Sequence, residues 1–213
     1  MKIGEIIQRV NFILNSGVQT DENPVSNRLI YSKLKGFRAM IVRQMYNQNQ
    51  FISSYFYQTL RSIKLEPTSF NGMQVLVTED TIPKPCTSNF GEAIQYVHFD
   101  GLKLDIINAN RARYLLKGSK YTGGKICCFF DQNKIYVCND ILGRSIDVNA
   151  IFEDVIEAHL YNDKDITDYM DLDFHIGEGI VDNLVKLSIQ DISGYLQQQQ
   201  YEPQGNPQEE EPR

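Results

Sequence analysis

The sequence predicts an α+β fold in which N- and C-terminal helices pack together as a helical bundle and bracket a central, mainly antiparallel β domain. Two patterns carry this expectation. Apolar residues recur at three- and four-residue intervals over 2–15, 26–49 and 176–196, the spacing of one helix face. Between them, from Asn49 onward, aromatic and β-branched residues alternate with Asn, Asp, Gly and Pro, the texture of short strands and tight turns. A chain of 213 residues that is 42% apolar has material for a full core. The expected organisation is an N-terminal helical hairpin (1–50), a β-rich domain (51–152), an acidic linker with a C-terminal helix that completes the bundle (153–196), and a polar extended tail (197–213).

In the first helix Ile3, Ile6, Ile7, Val10, Ile13 and Leu14 form the apolar face, and Gly17 ends it. Ser26 or Asn27 caps the second, whose stripe is Ile30, Leu34, Phe37, Ile41 and Met45; about 22 residues make a rod of roughly 33 Å. Strands then begin in FISSYFYQTLRSIKLEP, with Pro67 and Asn71-Gly72 supplying turn chemistry, and a second spans Met73 to Thr78. The prolines of IPKPC favour an extended edge around Cys86. Asp100-Gly101 between AIQYVHF and LKLDII predicts a hairpin with a type I′ turn, and Asp131, Gln132 and Asn133 predict another between Ile126–Phe130 and Ile135–Cys138. Asn108 caps a short helix in NANRARYLL, Ser145 to Ala150 is a last strand, and NDKDITDYMDLD is read as linker. Val181, Val185, Ser188, Ile192 and Tyr195 line the final helix, while the Gln-, Pro- and Glu-rich tail has too little apolar content to order alone.

Charge is segregated. From Ser26 to Gln50 the chain carries Arg28, Lys33, Lys35, Arg38 and Arg43 and no acid, whereas carboxylates crowd the region after Ile151. A basic surface of one copy against an acidic surface of the next is an assembly pattern. The interface candidates are therefore Arg28, Lys33, Lys35, Arg38 and Arg43 on one side, and Asp168, Asp171, Asp173, Tyr201, Glu209, Glu210 and Glu211 on the other. The net charge of −6 argues against general nucleic-acid binding, and a DNA-contacting accessory role for the basic helix is the alternative reading. No apolar run reaches the roughly 20 residues that span a bilayer, so no membrane partner is expected, and MKIGEIIQRVNFILN reads as an amphipathic helix of a protein made in a cytoplasm.

Chemistry is hard to find. GSKYTGGK, 118–125, resembles a phosphate loop but lacks the first glycine and the Ser or Thr after the lysine, and it runs from helix into strand. Asp163, Asp165, Asp168, Asp171 and Asp173 lack the glycine and glutamate of a calcium loop. Cys86, Cys127, Cys128 and Cys138 have no metal-site spacing and are read as free buried thiols, and His98, His159 and His175 are read as ordinary side chains. No enzyme activity, cofactor or metal is expected.

The central segments YFYQTLRSIKLEP, IPKPCTSNFGEAIQYVHFDG and RARYLLKGSKYTGGKICCFFDQNKIYVCND, with SNRLIYSKLKGFRAMIVRQ before them, resemble a family of tailed-phage structural proteins, especially those of crAss-like phages. The resemblance covers about 1–196. It implies a non-enzymatic virion protein of the neck and tail, assembled in the bacterial host cytoplasm. Its expected form is a homo-oligomeric, dodecameric ring in the head-to-tail connector, next to the portal protein and tail components and around the DNA channel.

Overall fold

The computed structural model describes residues 1–17, 25–115, 125–139 and 144–201. Five helices surround a large, mostly antiparallel sheet. Helix α1 is Ile3–Leu14, held at its start by the Lys2 amide donating to the Glu5 carboxylate at 2.9 Å, and α2 is Asn27–Asn47, with the Ser26 hydroxyl accepting from the Leu29 amide. The sheet comprises β1 (Gln58–Phe70), β2 (Met73–Thr78), β5 (Ile94–Phe99), β6 (Leu102–Lys103), β7 (Asp105–Ile106), β8 (Cys127–Asp131), β9 (Lys134–Cys138) and β10 (Ser145–Ala150), in the order β6-β5-β10-β1-β2-β9-β8-β7. Strands β3 (Thr87–Ser88) and β4 (Gly91–Glu92) form a small separate hairpin. Helix α3 is Ala109–Leu115, α4 is Val155–Asn162 and α5 is Glu178–Tyr201.

The turn chemistry read from the sequence decides the register. Asn71-Gly72, Asp100-Gly101 and Gln132-Asn133 all have positive φ at both positions, as type I′ turns require, and they connect β1 to β2, β5 to β6 and β8 to β9. Strand β1 is long because it serves two partners: its first half pairs with β10 and its second with β2. Pro67, read from the sequence as turn chemistry, lies inside that second half opposite Leu76. Counted from the turn-closing pair Phe70–Met73, it falls at a non-hydrogen-bonded pair between Thr68–Val75 and Glu66–Val77, so β2 asks no N–H of it.

The residues 102–107 bring the ends of the sheet together. At one end they pair with β5, with the Leu104 amide donating to Val97 at 2.9 Å, and at the other β7 runs parallel to β8. The sheet is thus nearly closed into a barrel, its interior filled by Leu60, Ile63, Leu76, Val97, Phe99, Val137, Val148 and Phe152. A second apolar cluster joins the helices: Ile3, Ile6, Ile7 and Val10 of α1, Ile30, Leu34 and Ile41 of α2, and Val181, Leu184, Val185 and Ile192 of α5 meet Phe56, Ile151 and Phe174. Ion pairs Arg9–Asp182 and Lys33–Asp191, each 2.7 Å, bind α1 and α2 to α5.

Helix α4 falls where the sequence suggested linker. Asp154 caps it through the Ile156 and Glu157 amides, and eight residues are too few to display a helical period. The final helix begins two residues later than expected and runs on to Tyr201.

One polar side chain joins the two layers. Arg38 stands on the buried face of α2 and is 0% exposed. Its guanidinium donates to the carbonyls of His175 (3.0 Å), Phe152 (2.7 Å) and Phe56 (3.2 Å), and it lies 5.9 Å from the centre of the Phe174 ring. Arg38 is therefore interior, not on the outward basic face where the charge run suggested it, because its fork satisfies three carbonyls from separate segments of the chain. Removing it leaves those carbonyls buried and unpaired. Arg38→Met is expected to lower stability by about 3–5 kcal/mol, read as a large drop in the thermal midpoint, and Arg38→Lys should recover only part; a midpoint unchanged in Arg38→Met would contradict the role.

Candidate functional site

The surfaces of the described residues are the candidate site. Among the described residues no group of three or more His, Cys, Asp and Glu could hold a metal ion, and no helix is long and apolar enough to cross a membrane.

Part of the segregated charge meets its opposite within the chain. Lys35 donates to Asp154 at 2.9 Å, beside Tyr31, whose hydroxyl donates to the same carboxylate at 2.8 Å; Lys33 pairs with Asp191. On the acidic side Asp171 pairs with Lys2 at 2.8 Å and Asp173 lies 3.9 Å from the Met1 amino group, where Lys2 and Asp173 also form a backbone bridge. Asp168 caps the short 3-10 helix Tyr169–Asp171 through the Met170 amide. Arg28 is exposed at the start of α2, and Arg43, also exposed, donates to the backbone and hydroxyl oxygens of Thr87 at 3.0 and 3.1 Å. Tyr201 is the last residue of α5; Glu209, Glu210 and Glu211 lie outside the described residues, as does nearly all of the 118–125 glycine-rich segment.

Two surfaces with exposed apolar side chains stand out as well. At the C-terminal end of α2, Arg43 and Asn47 hold the β3–β4 hairpin, the latter accepting from the Asn89 amide at 3.1 Å. This leaves Phe90 at the hairpin tip 71% exposed; four residues beyond Asn47, Phe51 is 88% exposed, and Tyr55 is 73% exposed. The second surface is a groove of about 280 Å³ between α1 and α5, lined by Arg9, Ile13, Val185, Lys186 and Ile189 and flanked by exposed Phe12. The two share no residue. Sequence periodicity placed Ile13 and Val185 on apolar helix faces but passed over the aromatic surface, although Asn89-Phe90-Gly91 did carry a signal: an aromatic between two turn formers has no core to enter.

A polar groove of about 600 Å³ lies where α4 faces β1 and is bordered by Arg61, Lys64, Glu79, Asp80, Glu157 and Lys164. The β1–β10 register slips between Leu60 and Ile63, and Ser62 adopts φ 53, its amide donating to Asp147 at 2.7 Å. This bulge turns the strand at the groove, but it brings no nucleophile paired with a base.

Comparison with known families matches the model described as phage tail ring protein 2 over residues 5–209. The chain belongs to the phage tail ring protein 2 family. A comparison with curated proteins gives no match. Membership fixes the kind of object this is: a structural ring component of a crAss-like phage tail, working by oligomeric assembly with other tail components.

The joint around Arg38 makes this ring protein acid-sensitive. Burial, the neighbouring His159 ring and the Arg38 cation push His175 from 6.5 down to about 4, against the pull of Asp173 and a backbone bond at Tyr55. Burial raises Asp154 too, but bonds from Lys35, Tyr31 and the Glu157 amide outweigh it and hold the carboxyl below its ordinary value. The unfolded chain thus takes up a proton on His175 near pH 6.5 that the folded chain refuses until about 4, so stability is complete above 6.5 and is lost as pH falls through that window. Thermal midpoints measured from pH 7.5 to 4.5 should fall in that interval, and His175→Asn should flatten the fall; identical profiles for the two proteins would contradict the assignment.

Proposed function

We propose that the protein forms a homo-oligomeric, dodecameric ring of the head-to-tail connector, joining the portal to tail components around the DNA channel. The ring is assembled in the host cytoplasm. The observation that carries the lateral contact is the pair of apolar surfaces on separate elements: the Phe51–Tyr55–Phe90 end of α2 and the α1–α5 groove. Ring closure needs a heterologous contact between two different patches on each subunit, and these patches supply one, the aromatic end of one copy seating in the groove of the next. In this reading α1, α2 and α5 act as the lateral helical bundle. The β domain is a block facing adjacent rings, and the polar tail orders against a neighbour.

The charged candidates divide accordingly. Arg28, Arg43 and Asp168, with Tyr201, Glu209, Glu210 and Glu211 of the tail, are proposed contacts to neighbouring rings, while Lys33, Lys35, Asp171 and Asp173 join such contacts only as shared ion pairs. The DNA-contacting alternative is weakened: of its cations Arg38 is interior, Lys33 and Lys35 are paired, and Arg43 is engaged with Thr87. A strip so occupied has few charges left for phosphates.

Electron microscopy of virions or of reconstituted portal complexes tests the assignment; absence of this chain from neck and tail would overturn it. For the lateral contact, the double variant Phe51→Glu, Phe90→Glu should keep the folded circular-dichroism spectrum and reduce ring assembly at least about tenfold, since each lost anchor costs on the order of 1–2 kcal/mol. Arg28→Glu with Arg43→Glu should leave the lateral contact and weaken attachment to the adjacent ring. Rings that form normally with glutamate at both Phe51 and Phe90 would exclude the proposed contact.

A further inference from the structure

The β8–β9 hairpin holds two of the four cysteines face to face. The Gln132-Asn133 turn sets a register in which Asp131 opposes Lys134, Phe129 opposes Tyr136 and Cys127 opposes Cys138 directly. Alternation along the strands then sorts the thiols. Cys127, Phe129 and Cys138 share an apolar cluster with Val75 and Ala112, whereas Cys128 belongs to the barrel interior and Cys86 to the helical core. All four are free and buried.

We infer that Cys127 and Cys138 form a dithiol site that oxidation converts to a cross-strand disulfide at the seam of the barrel. Directly opposed residues of an antiparallel pair have Cα atoms about 4.5–5.5 Å apart, inside the roughly 4.4–6.8 Å that a disulfide spans, so the bond forms without rebuilding the backbone. The opposed thiols also interact, which draws the Cys127 thiol down and pushes Cys138 up. Cys127 keeps some exposure (4%) and Cys138 has none (0%), so Cys127 is the sulfur an oxidant reaches first and Cys138 the resolving one. Cys86 and Cys128 differ in both respects, with no thiol opposite in register and with burial pushing them up to about 11 and about 12.

The oxidant is a small-molecule disulfide such as oxidised glutathione. The Cys127 thiolate attacks one of its sulfurs, a mixed disulfide forms, and the first glutathione leaves as a thiolate that takes up a proton. Cys138 then loses its proton and attacks the Cys127 sulfur, releasing the second glutathione. Two protein thiols are oxidised and one disulfide is reduced to two thiols. The bond ties β8, which carries β7 through the Asp105–Cys127 pairing, to β9, and so fastens the strands where the barrel closes.

The test uses the folded full chain, incubated with oxidised glutathione at pH 8, alkylated before and after denaturation, and mapped by mass spectrometry without reductant. One intramolecular link between Cys127 and Cys138 is expected, with Cys86 and Cys128 alkylated only after unfolding and the thermal midpoint raised by about 5 °C. Cys138→Ser should stop the reaction at a mixed disulfide on Cys127, and Cys128→Ser should leave the link unchanged. Four free thiols after oxidation, or links that involve Cys86, Cys128 or a second chain in place of the Cys127–Cys138 bond, would overturn the inference.

Discussion

A single buried guanidinium sets the relation between the helices and the barrel. Arg38 reaches from α2 to carbonyls of Phe56, Phe152 and His175, three segments far apart in the chain that meet only in the folded state. A buried cation without a fully paired carboxylate is costly, and it persists because each of its three nitrogens finds an acceptor. Such a group tolerates no sliding of α2 along the barrel, since a shift of one turn would strand both the charge and the carbonyls. Tyr31, Lys35 and Asp154 repeat the logic at the surface edge of the same joint, where Asp154 also starts α4.

This joint changes the meaning of the charge segregation. The basic run on α2 and the acids after Ile151 are far apart in sequence but adjacent in space, so Lys33–Asp191 and Lys35–Asp154 close within one subunit. Opposite charges placed far apart along a chain guide its own long-range contacts as well as contacts between copies. With these pairs engaged internally, exposed apolar side chains gather in two places: the aromatic end of α2 and the groove between α1 and α5. A tail ring protein with these surfaces has the ingredients for a repeated lateral contact whose strength depends little on ionic strength.

Much of the architecture was legible from residues alone, for identifiable reasons. Asp100-Gly101 and Asn71-Gly72 admit few backbone conformations, so the hairpins followed, and apolar spacing revealed α1, α2 and the final helix. What escaped had no local signature. Periodicity assigned the stripe of α2 to Phe37, yet the interior position belongs to Arg38, because only the tertiary fold reveals which carbonyls need donors. Helix α4 was too short to show a period, and closure of the sheet by 102–107 depends on the non-local parallel pairing of β7 with β8. Phe51 and Phe90 were visible as residues but not as a surface, since their proximity to the end of α2 arises from the docking of the β3–β4 hairpin on Arg43 and Asn47.

The most direct measurement is a density map of the assembled tail at side-chain resolution. The account predicts that Phe51 and Phe90 of each subunit are covered by the α1–α5 face of the next, while every Arg38 still lies on the carbonyls of its own chain. A ring whose subunits touch through the α2 cations, with both phenylalanines in solvent or Arg38 drawn out to a neighbour, would contradict it.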